Sequence, residues 1–275
     1  GALDLGTNNC RLLIARPARD GFRVVDSFSR IVRLGESLSR TGRLDDRAMD
    51  RAYDALALCA ERVVRRGVEP ERLSAVAVAT ISSQMRQRGY TDISFDNVKN
   101  LVPGQKIVGT AKTLRYIPKR EDLAKEFGGG FNAQKRAIDS VQPDDVVVME
   151  ARGEHGTGTL GDVLALRAQV NGANAVITDG GIRDSAAVAE VGLQVYAGAT
   201  HPAVLGRRHI PWEVGGTIAC GGTTVQPGDI IVGDDDGVVV IPPSLLQEVV
   251  DDAYEQELQD AWAYEQVKAG YPVDG

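Results

Sequence analysis

Asp145-Val146-Val147-Val148-Met149-Glu150 runs into a glycine-rich stretch, Gly153-Glu154-His155-Gly156-Thr157-Gly158-Thr159-Leu160-Gly161, and then into Asp162-Val163-Leu164. Some way on, Ala175-Val176-Ile177-Thr178 ends in Asp179-Gly180-Gly181-Ile182-Arg183-Asp184. Each begins as a short β-branched apolar run of strand length, breaks at glycine and continues as helical sequence. Two strand–loop–helix units in succession predict an α/β layered domain. They also predict two glycine-preceded helix N-termini close together at one end of its sheet.

The pattern extends outward from there. Strands are expected at 106–114, 145–150, 175–178, 194–196, 216–220, 229–233 and 237–241. Helices are expected at 81–89, 119–127, 131–141, 162–170, 185–191 and 244–268. Residues 1–80 read differently, as β-β-β-α-β. Short strands are predicted at 12–15, 22–28, 29–34 and 73–79. A helix from Asp45 to Arg66 carries its apolar stripe on Met49, Tyr53, Leu56, Ala60, Val63 and Val64. Charge divides the chain at the same place. Residues 1–80 hold 14 Arg, no Lys and 11 acids, a net of +3; the remainder holds 17 basic and 27 acidic residues, a net of −10. The break near residue 80 reads as a seam between domains 1–80 and 81–275.

Composition bounds the function. A net charge of −7 argues against non-specific nucleic-acid binding. No apolar run reaches the roughly 18 residues needed to span a membrane. The chain opens on Gly1-Ala2-Leu3-Asp4, without a methionine or a signal-like stretch. Three scattered cysteines, Cys10, Cys59 and Cys220, have no metal-ligand spacing and read as reduced thiols of a cytoplasmic protein.

The chemistry gathers at the two helix starts. Free backbone N–H groups and the positive end of a helix dipole favour a carboxylate or phosphate. Asp162 and Asp184 sit in the two first turns, and Arg183 adjoins the second. A hard divalent cation is satisfied by one or two carboxylates plus waters. Such a cation with Arg183 could hold a 2-oxo acid and stabilise the enolate left when a C–C bond breaks. Taken singly, each residue has a plainer reading: an aspartate at a helix start is an ordinary cap, the loop glycines are turn formers, and Arg183 is a solvated charge. Their arrangement, an aspartate, twenty residues, then Arg-Asp, is what separates the readings.

That arrangement, with Gly161-Asp162 before one helix and Asp179-Gly180-Gly181-Ile182-Arg183-Asp184 before the other, resembles the RraA-like family. The family includes the class II 4-hydroxy-4-methyl-2-oxoglutarate/4-carboxy-4-hydroxy-2-oxoadipate aldolases. The likeness covers nearly all of 81–275, including Ile81-Ser82-Ser83-Gln84, residues 103–111 (PGQKIVGTA), Val225-Gln226-Pro227-Gly228-Asp229 and Asp234-Asp235-Asp236-Gly237-Val238-Val239. It implies an RraA-like layered β/β/α fold, a homotrimer or dimer of trimers, and sites between subunits. It further implies that Asp184 holds Mg²⁺ or Mn²⁺ and that Arg183 binds substrate and stabilises the pyruvate enolate. Asp162 would orient a metal-linked water, and the backbone at Gly161, Val163 and Leu164 would cradle the carboxylate. Glu255 or Glu257 would be the carboxylate supplied by a neighbouring subunit. The implied reaction is pyruvate release from a small 4-hydroxy-2-oxo acid, with oxaloacetate decarboxylation possible at the same site. The chain departs from compact members in a longer segment at 114–131. Some relatives, moreover, have no established aldol chemistry, and the family takes its name from an inhibitor of an RNA-degrading nuclease. A non-catalytic regulator is therefore the alternative reading.

Two weaker signals complete the picture. Gly156-x-Gly158-x-x-Gly161 with Asp179 downstream matches a dinucleotide fingerprint, though without a doubly wound fold around it. His155, His201 and His209 lack ligand spacing; the last two read as structural. Residues 2–14 (ALDLGTNNCRLLI), with Arg33-Leu34-Gly35-Glu36, resemble the first phosphate hairpin of the exopolyphosphatase/guanosine pentaphosphate phosphohydrolase family. That family has an actin-like (ribonuclease H-like) fold, in which Asp4 would help place a metal-bound water, with backbone N–H groups and Arg11 on phosphate. The second phosphate loop that such enzymes need is missing, so phosphatase activity is not expected.

Overall fold

The computed structural model describes residues 1–18, 21–67 and 70–273. Contacts divide the chain into Gly1–Glu69 and Pro70–Gly275, so the structural seam precedes the composition break near residue 80.

In the first unit, β1 (Ala2–Leu5), β2 (Asn9–Ala18) and β3 (Gly21–Ile31) form an antiparallel sheet in that order. Asp4 lies opposite Arg11 across the β1–β2 pair. Period-two alternation puts Cys10, Leu12 and Ile14 on one face. There they are buried with Val32, Ala52, Ala55 and Cys59. A single turn, α1 (Leu38–Thr41), precedes the covering helix α2 (Asp46–Gly67).

Three expectations change here. The strands predicted at 22–28 and 29–34 are one strand, because β2 pairs continuously through Ser29 and Arg30. The buried stripe of α2 is Ala48, Ala52, Ala55 and Cys59, while Tyr53 is 66% exposed and Val63 is exposed as well. Small side chains let the helix backbone come down onto the sheet, which leaves Tyr53, Ala60 and Val63 outward. Of the predicted stripe Leu56 does pack against this core, and Val64 lies outside the described side chains. Lastly, among the described residues the fourth predicted strand is absent after α2, because residues 73–75 and 78–79 lie in two helices of the second unit. The thiols of Cys10 and Cys59 lie 3.8 Å apart, and all three cysteines are buried and outside any disulfide.

Leu3, Leu5, Phe22, Val24 and Ile31 are exposed on the small sheet. A unit this small that leaves so much apolar surface in water has little margin over its chain entropy. Limited proteolysis of the full chain is therefore expected to cut within residues 1–69 before any site between residues 107 and 241. A first cut in the later segment would contradict this.

The second unit opens with α3 (Pro70–Ala75) and α4 (Val78–Gln87). Leu73 and Val76 are buried, and Val78, Ile81 and Met85 line one face of α4. The alternation that read as a strand is an alanine-rich helical pair; alanine favours helix, and the buried positions follow helical spacing. Next come β4 (Lys99–Asn100), β5 (Ile107–Pro118), α5 (Glu121–Phe127), α6 (Ala133–Asp139), β6 (Asp145–Glu150) and α7 (Asp162–Val170). They are followed by β7 (Ala175–Ile182), α8 (Ser185–Val191), β8 (Gln194–Thr200), β9 (His209–Val214), β10 (Ile218–Cys220) and β11 (Thr223–Val225). β12 (Ile230–Asp234), β13 (Gly237–Ile241) and the long α9 (Leu246–Lys268) complete the unit.

The main sheet has the order β13-β12-β5-β6-β7-β8-β4, with β9 also paired to β5. β5, β6, β7 and β8 are parallel neighbours. The Val and Ile runs of β6 and β7 suit strands buried on both faces. Alternation along β6 assigns the two cores. Val147 and Met149 pack with Ala137 and Ile138 of α6, Ala165 and Ala168 of α7 and Val188 of α8. Val146 and Val148 pack with Ile218 and Cys220 of β10, Val225 of β11, and Ile231, Val238 and Val240. Helices cover one face and the β10–β11 hairpin the other, giving the expected β/β/α layering. β4, β9 and β11, which the sequence did not predict, are a two-residue strand, the far partner of β5 and half of the hairpin. Among the described residues no helix is long and apolar enough to cross a membrane.

Candidate active site

The loop between β6 and α7 is tied to the end of β7. Thr159 donates to the Gly181 carbonyl from its backbone N–H (2.7 Å) and its hydroxyl (2.9 Å). Arg183 N–H returns a bond to the Leu160 carbonyl at 2.7 Å. Residues 201–205 close a third side: Gly158 N–H donates to Ala203 O, and the Thr157 hydroxyl to Val204 O. These bonds bring the N-termini of α7 and α8 together over a cleft of about 220 Å³. Its lining includes Gly161, Asp162, Val163, Leu164, Arg183 and Asp184, so six of the expected site residues meet in one place.

Two glycines make the approach possible. A Cβ on Gly158 would sit 2.1 Å from Cγ of Arg183, so the arginine lies directly across the glycine. A Cβ on Gly161 would meet Asp184 Oδ2 at 3.0 Å. Asp184 precedes α8 in the left-handed region (φ 54°, ψ 38°), and its side chain makes no capping bond. It is thus not the ordinary cap that its position alone suggested. Its Oδ2 stands 3.6 Å from Nη2 of Arg183. Asp162 accepts from Val163 N–H at 2.8 Å, which leaves its other oxygen for the cleft.

Asp162 and Asp184 bring two carboxylates to a lining that is otherwise largely apolar or glycine. Among the described residues no group of three or more His, Cys, Asp and Glu side chains could hold a metal. Two carboxylates beside water-accessible space nevertheless match the sparse protein ligation that Mg²⁺ accepts.

Other expected participants lie elsewhere. Asp179 is buried, with Oδ1 taking the Ala151 N–H at 2.6 Å and Oδ2 the Gly153 N–H at 2.9 Å. Both oxygens hold the loop, so the dinucleotide reading loses its ribose ligand. Glu257 accepts from Ala77 N–H (2.8 Å) and the Thr80 hydroxyl (2.6 Å) at the start of α4; Glu255 is exposed on α9. Neither lines the cleft of its own chain. His155 is exposed, its ring against Gly198, and His201 Nδ1 accepts from Ala203 N–H at 3.0 Å.

His209 is 1% exposed. Burial, then the neighbouring charge of Arg152, pushes its pKa down to about 4. The unfolded state therefore binds a proton that the folded state refuses between pH 6.5 and about 4, and stability falls as pH drops through that window. His209→Gln is expected to flatten the wild-type loss there, about 1.4 kcal/mol per pH unit at its steepest. Chemical denaturation across pH 4–7 checks this; identical slopes in both proteins would refute it.

The sequence did not flag Gln134, Thr159 and Leu205, which also line the cleft. Only Gln134 left a sign, as an amide among alanines on a core-facing helix where an apolar residue is the norm.

With this geometry in view, the comparisons with known proteins are consistent. The model of the RraA-like family, aldolase/RraA, matches residues 78–240. The chain belongs to the RraA-like family. A Halalkalibacterium halodurans protein named "Putative 4-hydroxy-4-methyl-2-oxoglutarate aldolase" is 29% identical over 177 residues, 62% of this chain and 76% of that protein. Protein DlpA of Legionella pneumophila is 30% identical over 154 residues, 56% of this chain; the match spans only 24% of DlpA's length. The crystal structure of Streptomyces coelicolor RraAS2, described as an unusual member of the RNase ES inhibitor RraA protein family, superposes with a TM-score of 0.65 at 33% identity. It covers 70% of this chain and 94% of that one.

Proposed function

We propose that the second unit is a divalent-metal-dependent lyase that releases pyruvate from a small 4-hydroxy-2-oxo acid. The observation that carries this reading is Asp184, a carboxylate spent neither on capping nor on a close ion pair, held beside Arg183 and across from Asp162 in one cleft. The name of the H. halodurans relative supports it. In the proposed reaction the C3–C4 bond breaks and its electron pair stays on C3 as the enolate of pyruvate. The C4 hydroxyl loses its proton and becomes a carbonyl, and protonation of C3 completes the release. Arg183 holds the 2-oxo and carboxylate oxygens and stabilises the charge that grows on the enolate oxygen. Asp162 orients the water that moves the proton, and the first turn of α7 receives the carboxylate. Asp184 would be the carboxylate that holds Mg²⁺ or Mn²⁺, which when bound supplies Lewis-acid polarisation of the 2-oxo group. Oxaloacetate decarboxylation passes through the same enolate and falls within the same proposal.

A homotrimer, or a dimer of trimers, belongs to this reading, with a carboxylate from a neighbouring copy completing the site. Glu255 suits that role better than Glu257, whose carboxylate is engaged at α4. The second reading, a non-catalytic regulator of a ribonuclease or other protein, draws on the family description of RraAS2. Turnover separates them. Pyruvate release from 4-hydroxy-4-methyl-2-oxoglutarate or oxaloacetate, present with Mg²⁺ and abolished by a chelator, is expected. A folded protein inactive on both would favour the regulator.

A further inference from the structure

Gln134 lies on α6 with only 5% of its surface exposed, and that surface is in the cleft. Its Nε2 donates to the Thr159 carbonyl, the residue whose N–H and hydroxyl tie the loop to β7. A carbonyl can only accept, so this contact fixes which end of the amide is which. Tyr116 Oη reaches the same carbonyl at 3.5 Å and braces it from behind. The amide is therefore held from its nitrogen side: Nε2 donates to the Thr159 carbonyl, and Gln134 also bonds the Tyr116 hydroxyl in the sense that lowers the phenol's pKa, as a donor does. Among the described residues Oε1 has no hydrogen-bond donor. Apart from the Thr159 hydroxyl, which is engaged with Gly181 O and Thr178, the side-chain acceptors lining the cleft are the carboxylates of Asp162 and Asp184, which suit a cation, and Gln134, a neutral acceptor that suits a hydroxyl.

Resting on the lyase reading, we infer that Gln134 Oε1 accepts a hydrogen bond from the C4 hydroxyl of the substrate, so that Gln134 selects 4-hydroxy-2-oxo acids over oxo acids that lack this hydroxyl. The amide cannot take the proton; it orients the O–H for the group that does. A substrate without the hydroxyl leaves a largely buried acceptor unpaired, a penalty that discriminates by about tenfold or more.

The test uses the full chain with Mg²⁺ and compares kcat/KM on 4-hydroxy-4-methyl-2-oxoglutarate with that on oxaloacetate, for wild type and Gln134→Met. Loss of the Thr159 contact would depress both substrates alike, so the ratio is the readout. It is expected to fall about tenfold or more in the variant. An unchanged ratio would show that Gln134 only anchors the loop and would overturn the inference. If wild type turns over neither substrate, the lyase reading fails, and calorimetry with 4-hydroxy-2-oxoglutarate against 2-oxoglutarate then decides this point alone. Tighter binding of the hydroxylated acid, with the preference lost in Gln134→Met, supports the inference. Equal affinities in wild type overturn it, including where the variant does not fold.

Discussion

Asp184→Asn is expected to lower metal-dependent pyruvate release by about 10²- to 10³-fold while leaving the folded protein nearly as stable, within about 0.5 kcal/mol. The choice of asparagine matters. Residue 184 has φ 54°, a region that asparagine tolerates and alanine enters only with strain. The native side chain makes no capping bond, so its replacement removes no helix contact. What it removes is the negative charge proposed to hold the cation. Steady-state kinetics with Mg²⁺, paired with thermal melting, separates the two effects. Full activity in the variant would remove Asp184 from the site; a large drop in melting temperature would make its role structural.

The second large effect is expected at a residue with no functional group. Gly158→Ala places a methyl 2.1 Å from Cγ and 2.9 Å from Cδ of Arg183, and 3.1 Å from its backbone nitrogen. The side chain can swing away, but not while staying where it now lies. Displacing an orienting group by about 1 Å can cost about a hundredfold in rate, and kcat/KM should fall by about that factor. Arg183→Met should match it, and the double variant should lose little more, because both changes remove the same contact. Additive losses in the double variant would mean that Gly158 acts through something other than Arg183.

The candidate site was unusually legible in the chain because its parts are local. β6, α7, β7 and α8 each read directly from apolar runs broken by glycine. Asp162, Arg183 and Asp184 stand at the junctions, where dipoles and free N–H groups concentrate. Legibility failed where a side chain's role depends on what lies far away in sequence. The alternation over 73–79 matched a strand, and only its packing at helical spacing decided otherwise. The stripe on α2 was placed only in part, with Leu56 on the core, because large apolar residues dominate a periodicity search, whereas close packing favoured Ala48, Ala52, Ala55 and Cys59.

By itself, then, the sequence determined the order of the strands and helices around the cleft and the identity of the charged groups at the two helix starts. Both follow from local backbone preference and from period. Only the tertiary structure decided which carboxylates are free. Asp179 and Glu257 look as available in sequence as Asp184, yet backbone N–H groups brought in by the fold engage both oxygens of the first and one of the second. Tertiary structure likewise brought Gln134 of α6 to Thr159, 25 residues on, since hydrogen-bond partners across a core are set by packing and leave no mark in sequence spacing.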